Sequence, residues 1–214
     1  MLPDLIRIGA AAPGFYQALP WIVFISFASY LIGSVTFGLI FSKLFKLGNL
    51  SEIGSGNIGA TNVLRTGNRS AALLTLIFDT FKGFIAVYLV YESFGLTAAQ
   101  FSGIFVFFGH LFPIFNKFKG GKGVATFLGI TGALNFWLFS FCCLIWVISA
   151  LISKRSSLSS LVSVTSSLFL VFPLRIENNI WILIVLVLGI FFSHRKNIVR
   201  LIKGSEPKIG ENKN

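Results

Sequence analysis

The stretch LPWIVFISFASYLIGSVTFGLIF at positions 19–41 carries no charged residue. As a helix rising about 1.5 Å per residue it would be about 34 Å long, enough to cross a hydrocarbon core of about 30 Å. It is also too long for the apolar region of a cleavable signal peptide, so the sequence predicts a retained membrane span. Further apolar stretches follow at 71–91, 98–115, 124–134, 136–152, 158–172 and 180–193. The apolar stretch from Val124 to Ile152 is divided in two at Gly132–Asn135, where glycine and asparagine interrupt it.

Composition supports the bilayer as solvent. The chain of 214 residues is 55% hydrophobic and only 12% charged, about half the charged share of an ordinary soluble domain, which is about 25%. Its net charge is +11. With seven helices and an external N-terminus, fifteen of the 18 Lys and Arg residues fall on the inner side. They are Lys43, Lys46, Arg65, Arg69, Lys117, Lys119, Lys122, Lys154, Arg155, Arg195, Lys196, Arg200, Lys203, Lys208 and Lys213. Six helices would erase that asymmetry, so the positive-inside rule predicts an all-α integral membrane protein of seven helices with a cytoplasmic C-terminus. The basic residues lie in short loops and form no continuous basic helix, which argues against nucleic acid as a partner. No loop is long enough to build a core of its own, and residues 1–214 read as one polytopic domain.

Three polar segments carry chemistry, all on the side predicted to be cytoplasmic. The first is GSGNIGATNVLR at 54–65. Gly54, Gly56 and Gly59 permit backbone turns that aim successive N–H groups at an anion. Ser55, Asn57, Thr61 and Asn62 add neutral hydrogen-bonding groups, and Arg65 a guanidinium fork suited to phosphate. The second is KFKGGKGVAT at 117–126, where Lys119, Gly120, Gly121, Lys122 and Gly123 precede the start of a helix whose dipole favours an anion. It is not a P-loop, because Gly123 follows Lys122 where that motif requires Ser or Thr. The third is HRKNIVRLIKGSE at 194–206. His194 and Asn197 share a helix face, and the carboxylate of Glu206 sits in a basic tail, able to pair with a base or to position a hydroxyl. Arg195, Lys196 and Lys203 read as a juxtamembrane patch attracted to anionic lipid.

Within the spans, Asp79 and Lys82 read as a structural ion pair, and structural and substrate roles both stay open for His110. Cys142 and Cys143 are adjacent and read as packing residues. With two histidines and no metal-ligand spacing, no metal or cofactor is expected. Two anion loops beside a histidine, without an activated nucleophile, suit direct transfer between two phosphate-bearing molecules. A transporter of a phosphorylated solute is the rival reading.

These segments closely resemble the bacterial acyl-phosphate:glycerol-3-phosphate acyltransferase family. The resemblance rests on GSGNIGATNVLR, on GHLFPIFNKFKGGKGVAT at 109–126 and on HRKNIVRLIKGSE, with weaker agreement in GSVTFG at 33–38 and DTFKG at 79–83. It implies a seven-helix enzyme of the bacterial inner membrane whose active site faces the cytoplasm. Such an enzyme moves a fatty acyl group from acyl phosphate to the 1-hydroxyl of glycerol 3-phosphate, giving lysophosphatidic acid. Its partners would be membrane lipid and the enzyme that supplies acyl phosphate. The resemblance makes Ser55, Arg65, Lys122, His194, Asn197 and Glu206 the active-site set, with Ser55, His194 and Asn197 nearest the chemistry. Gly54, Gly56, Gly59 and Asn57 would hold phosphate. Asn49 and Ser51 stand where the family usually has Asp and Arg, a loss of positive charge that a neighbour such as Lys46 would have to offset.

Overall fold

The computed structural model describes residues 15–210; the expectation placed on Lys213 lies outside the described residues. The described chain is all helix and turn. In chain order the helices are α1 (Phe15–Ser34), α2 (Phe37–Leu44), α3 (Ala60–Leu64), α4 (Arg69–Phe94) and α5 (Leu96–Leu111). They continue with α6 (Val124–Leu134), α7 (Phe136–Ser153), α8 (Ser156–Leu170), α9 (Ile180–Ser193) and α10 (Arg195–Ile202).

Local sequence explains the ends. Asn68 and Asn135 each turn a side-chain oxygen onto the N–H three residues on, at Ala71 and Leu138, and so start α4 and α7. Asn135 is therefore the break expected within 132–135. Pro113 disfavours helical geometry at Phe112, and α5 stops at Leu111. The span expected over 19–41 is not one rod. It breaks at Val35–Thr36 into α1 and α2. Lys82 on α4 donates from Nζ to the carbonyls of Gly33 at 2.9 Å and Val35 at 2.6 Å, satisfying the acceptors that the break releases.

Among the described residues, four segments are long and apolar enough to cross a membrane by themselves: Tyr16–Leu44, Arg69–Phe94, Leu96–Asn116 and Phe136–Ser153. A fifth results if α9 and α10, bent by 64°, count as one with the turn before them. Two of the seven expected spans, α6 and α8, are shorter apolar helices; α6 has 11 residues, about 16 Å at about 1.5 Å per residue.

Packing is that of a membrane bundle. Phe24, Phe27, Leu73, Phe81, Leu144, Leu151 and Leu188 face outward, where hydrocarbon would meet them. Inside, Phe107, Phe127, Ile130, Leu183, Leu186 and Ile190 form the apolar core. Interior hydroxyls pair with each other or with backbone, as Ser29 with Ser102 at 2.8 Å and Ser163 with the carbonyl of Cys142 at 2.7 Å. Small residues let helices touch backbone to backbone. A Cβ on Gly33 would stand 2.1 Å from the carbonyl oxygen of Val106, and one on Gly129 would stand 1.9 Å from that of Thr80. The α1–α5 and α4–α6 crossings depend on those two absent side chains.

Gly129→Val is accordingly expected to force α4 and α6 apart. Gly132→Ala, whose new Cβ meets only side-chain atoms of Phe84 and Phe139 at 3.6–3.7 Å, should be tolerated. Melting temperature and the monodisperse fraction in detergent check this pair: the first variant should lose several degrees or fail to fold, and the second should match the parent.

Candidate active site

The three polar segments meet around a single cavity of about 630 Å³. Ser55, Asn57, Gly59, Thr61, Asn62 and Arg65 line it from the first, Lys122 and Gly123 from the second, and His194, Asn197 and Glu206 from the third.

The first loop is folded around Asn62. This side chain, 1% exposed, accepts at Oδ1 from the Ser55 N–H (3.0 Å), the Ser55 hydroxyl (3.3 Å) and Arg65 Nη1 (3.3 Å). Its Nδ2 donates to the carbonyl of Leu50 at 3.0 Å. Asn62 thus holds Ser55 and Arg65 together as well as lining the cavity. Gly54 (φ +54°) and Gly56 (φ +70°) take the left-handed turns that this wrapping needs. A Cβ on Gly54 would also lie 2.5 Å from Arg65 Cδ. Both glycines shape the loop from outside the cavity lining. Asn49 and Ser51, the positions where the resemblance leads one to expect Asp and Arg, form a local cap: Asn49 Oδ1 accepts from the Ser51 N–H and hydroxyl at 3.1 and 2.8 Å, and Asn49 Nδ2 donates to Glu52 at 2.7 Å. Lys46, the expected substitute for the lost charge, is exposed and absent from the cavity wall.

In the second loop Gly120 and Gly121 serve close packing. A Cβ on Gly120 would meet the His110 carbonyl at 2.1 Å, and one on Gly121 the His110 ring at 2.1 Å. Lys119 is exposed and does not line the cavity. Lys122 does, and Ser193 Oγ donates to its carbonyl at 3.0 Å, tying this loop to the end of α9 beside His194. Burial pushes the Lys122 ammonium down to about 8; Glu206 opposes that drop, and Arg200 and Arg65 add to it.

In the third segment the carbonyl of Ile190 lies 2.9 Å from His194 Nδ1. A carbonyl can only accept, so the proton sits on Nδ1 and the neutral ring keeps a lone pair on Nε2. Glu206 is clamped by Asn197 Nδ2 and Arg200 Nε, both at 2.6 Å, and its backbone carbonyl accepts from Arg155 Nε at 3.2 Å. Burial raises the Glu206 carboxyl, but the hydrogen bonds from Asn197 and Arg200 and the charge of Arg200 outweigh that and hold it below the usual range. Glu206 is a charged anchor for Asn197, which leaves the Asn197 oxygen available to a ligand.

The structure adds residues that no motif named. Arg69, Trp146, Ser156, Ser157, Ser160 and Lys208 line the cavity. Arg200, six residues before Glu206, is the clamp that a motif reading passes over. Asp79 and His110, noticed as polar residues within spans, also reach the cavity. Asp79 Oδ1 stands 3.0 Å from Lys82 Nζ, the expected ion pair, and 3.7 Å from His110 Nδ1.

The sequence pattern of one family, described as glycerol-3-phosphate acyltransferase, matches residues 23–204. The chain belongs to that family. A glycerol-3-phosphate acyltransferase of Jannaschia sp. (strain CCS1) is 50% identical over 183 residues, covering 86% of this chain and 90% of its own. One of Roseobacter denitrificans is 46% identical over 197 residues, covering 92% and 98%. Two crystal structures of PlsY, an integral membrane glycerol 3-phosphate acyltransferase, are similar in fold. The glycerol 3-phosphate form has a TM-score of 0.85 at 37% identity, and the lysophosphatidic acid form 0.81 at 35%, each covering 89% of this chain and 96% of its own. This glycerol-3-phosphate acyltransferase family member is thus a membrane enzyme, which removes the transporter reading. A role in phospholipid synthesis fits it.

With Lys122 near 8, its charge is present below that pH and lost above it. Affinity for inorganic phosphate should therefore fall from pH 8 to 9.5, approaching about tenfold per pH unit, the slope for one required proton. Lys122→Arg should flatten the profile, since guanidinium stays charged. Titration calorimetry checks both curves, and a level profile in the parent protein would contradict the assignment.

Proposed function

We propose that the enzyme transfers a fatty acyl group from acyl phosphate to the 1-hydroxyl of glycerol 3-phosphate, releasing inorganic phosphate and 1-acylglycerol 3-phosphate. The observation that carries this reading is the convergence of Arg65, Lys122 and His194 on one cavity. Two fixed cations suit two phosphate groups, and a histidine with an open Nε2 suits a hydroxyl that must lose its proton.

In this reading Ser55 and the N–H groups of the first loop receive the acyl-phosphate end, and Arg65 and Lys122 offset phosphate charge. Asn57, Gly59 and Thr61 complete the anion cradle, and α6 presents its N-terminus behind Gly123. His194 Nε2 and the Asn197 oxygen orient the acceptor hydroxyl. As that oxygen bonds to the acyl carbon, its proton passes to Nε2, the bond between acyl carbon and phosphate oxygen breaks, and phosphate leaves with both electrons. The proton then follows to the departing phosphate. Apolar side chains on the cavity wall, Leu76 on α4, Leu128 on α6 and Val147 on α7, suit the fatty chain. No covalent acyl-enzyme and no cofactor enter.

The same reading sets the enzyme in a bacterial inner membrane with seven segments, an external N-terminus and the cavity open to the cytoplasm, where acyl phosphate arrives from the enzyme that makes it. The fifteen inner-side cations support that orientation.

Purified protein given synthetic acyl phosphate and glycerol 3-phosphate should release phosphate and lysophosphatidic acid in equal amounts, and acyl-CoA should not replace the donor. His194→Ala should leave less than about a tenth of the rate, because general-base catalysis contributes about 10²–10⁴-fold. Equal rates with acyl-CoA would overturn the donor, and a near-normal rate without His194 would overturn its role.

A further inference from the structure

We propose that the buried cluster Asp79–Lys82–His110 is a positioning unit that fixes the spacing between the two phosphate loops. All three residues are 3% exposed, and the chemistry proposed above uses none of them. Two arms lead from the cluster, one to each loop.

The first arm runs through Lys82. Its ammonium holds the carbonyls of Gly33 and Val35 at the α1–α2 break and lies 5.8 Å from the centroid of the Phe37 ring, the first residue of α2. That fixes the direction in which α2 departs. One residue on, Gly38 presses backbone to backbone on the first loop: a Cβ there would stand 1.8 Å from the carbonyl oxygen of Ile58. A change at the break therefore moves the glycine loop 54–59.

The second arm runs through His110. Its carbonyl accepts the Gly121 N–H at 3.1 Å, and its ring lies directly under Gly121, the residue before Lys122. Asp79 joins the arms, with one oxygen facing both Lys82 Nζ and His110 Nδ1. At 3.7 Å the histidine contact is too long for a hydrogen bond, so Asp79 Oδ1 is held by the Lys82 ion pair at 3.0 Å while His110 Nδ1 has no hydrogen-bond partner. An ion pair serving stability alone could be exchanged for apolar packing at little cost. One that anchors a broken helix on one side and a phosphate loop on the other could not.

This inference rests on the proposed reaction only for its kinetic readout. Asp79→Asn, Lys82→Met, the double variant of both, and His110→Phe are compared as purified full-length protein in lipid nanodiscs. KM for each substrate, kcat, melting temperature and equilibrium binding of glycerol 3-phosphate are measured. Asp79→Asn strands the Lys82 charge and should lower both the melting temperature and the affinities. The double variant restores charge balance but leaves the carbonyls of Gly33 and Val35 without their donor, so it should recover only part of the melting temperature while its KM values stay raised about tenfold, with kcat changed far less. His110→Phe should weaken glycerol 3-phosphate binding while sparing the α1–α2 break. A merely structural cluster would instead return the double variant to normal KM, or lower kcat through a smaller active fraction at unchanged KM; either result overturns the proposal. If a single variant fails to fold, the double variant and His110→Phe decide. If the parent binds glycerol 3-phosphate but does not turn over acyl phosphate, the reaction falls, and the binding losses still judge the cluster.

Discussion

Lys82 on the carbonyls of Gly33 and Val35 is the contact that makes this architecture tenable. A helix broken within a membrane bundle releases backbone acceptors that hydrocarbon cannot satisfy, each worth several kcal/mol if orphaned. The ammonium takes both, and the Asp79 carboxylate balances its charge three residues away on the same helix. The break lets α2 leave the direction of α1 and support the first glycine loop through Gly38. Backbone contact without side chains recurs where α1 meets α5 and where α4 meets α6, so the bundle is set by absent Cβ atoms as much as by filled space.

On this frame the polar segments divide their labour. Asn62 spends its carboxamide on arranging Ser55 and Arg65. Glu206 spends its carboxylate on Asn197 and Arg200. Gly120 and Gly121 give Lys122 its place by packing on His110. What these supports leave facing the cavity is a guanidinium, an ammonium, a hydroxyl and an imidazole with one open nitrogen. That equipment suits an acyl transfer in which charge placement, rather than a protein nucleophile, supplies the rate.

Much of this was legible in the residues. Apolar runs located the helices, and Gly-Ser-Asn-Thr text closed by Arg65 marked an anion loop, because few structural needs call for that mixture. Other features left no local trace. The break at Val35–Thr36 sits within an uncharged stretch, and its cause, Lys82, lies on another helix. Motif membership did not separate Lys122, which reaches the cavity, from Lys119, which faces outward. Ser156, Ser157 and Ser160 belong to a serine-rich helix whose polarity reads as packing until the fold brings it against Thr61 at 3.1 Å and Trp146 at 3.1 Å. Span number was hardest, since α6 and α8 are shorter than a bilayer requires.

In the proposed mechanism, donor and acceptor occupy one cavity together and react without a covalent relay. Initial rates measured while both acyl phosphate and glycerol 3-phosphate are varied test it most directly. Double-reciprocal lines that intersect are expected, with no phosphate burst from acyl phosphate alone. Parallel lines, or a stoichiometric burst in the absence of acceptor, would reveal an acyl-enzyme and contradict it.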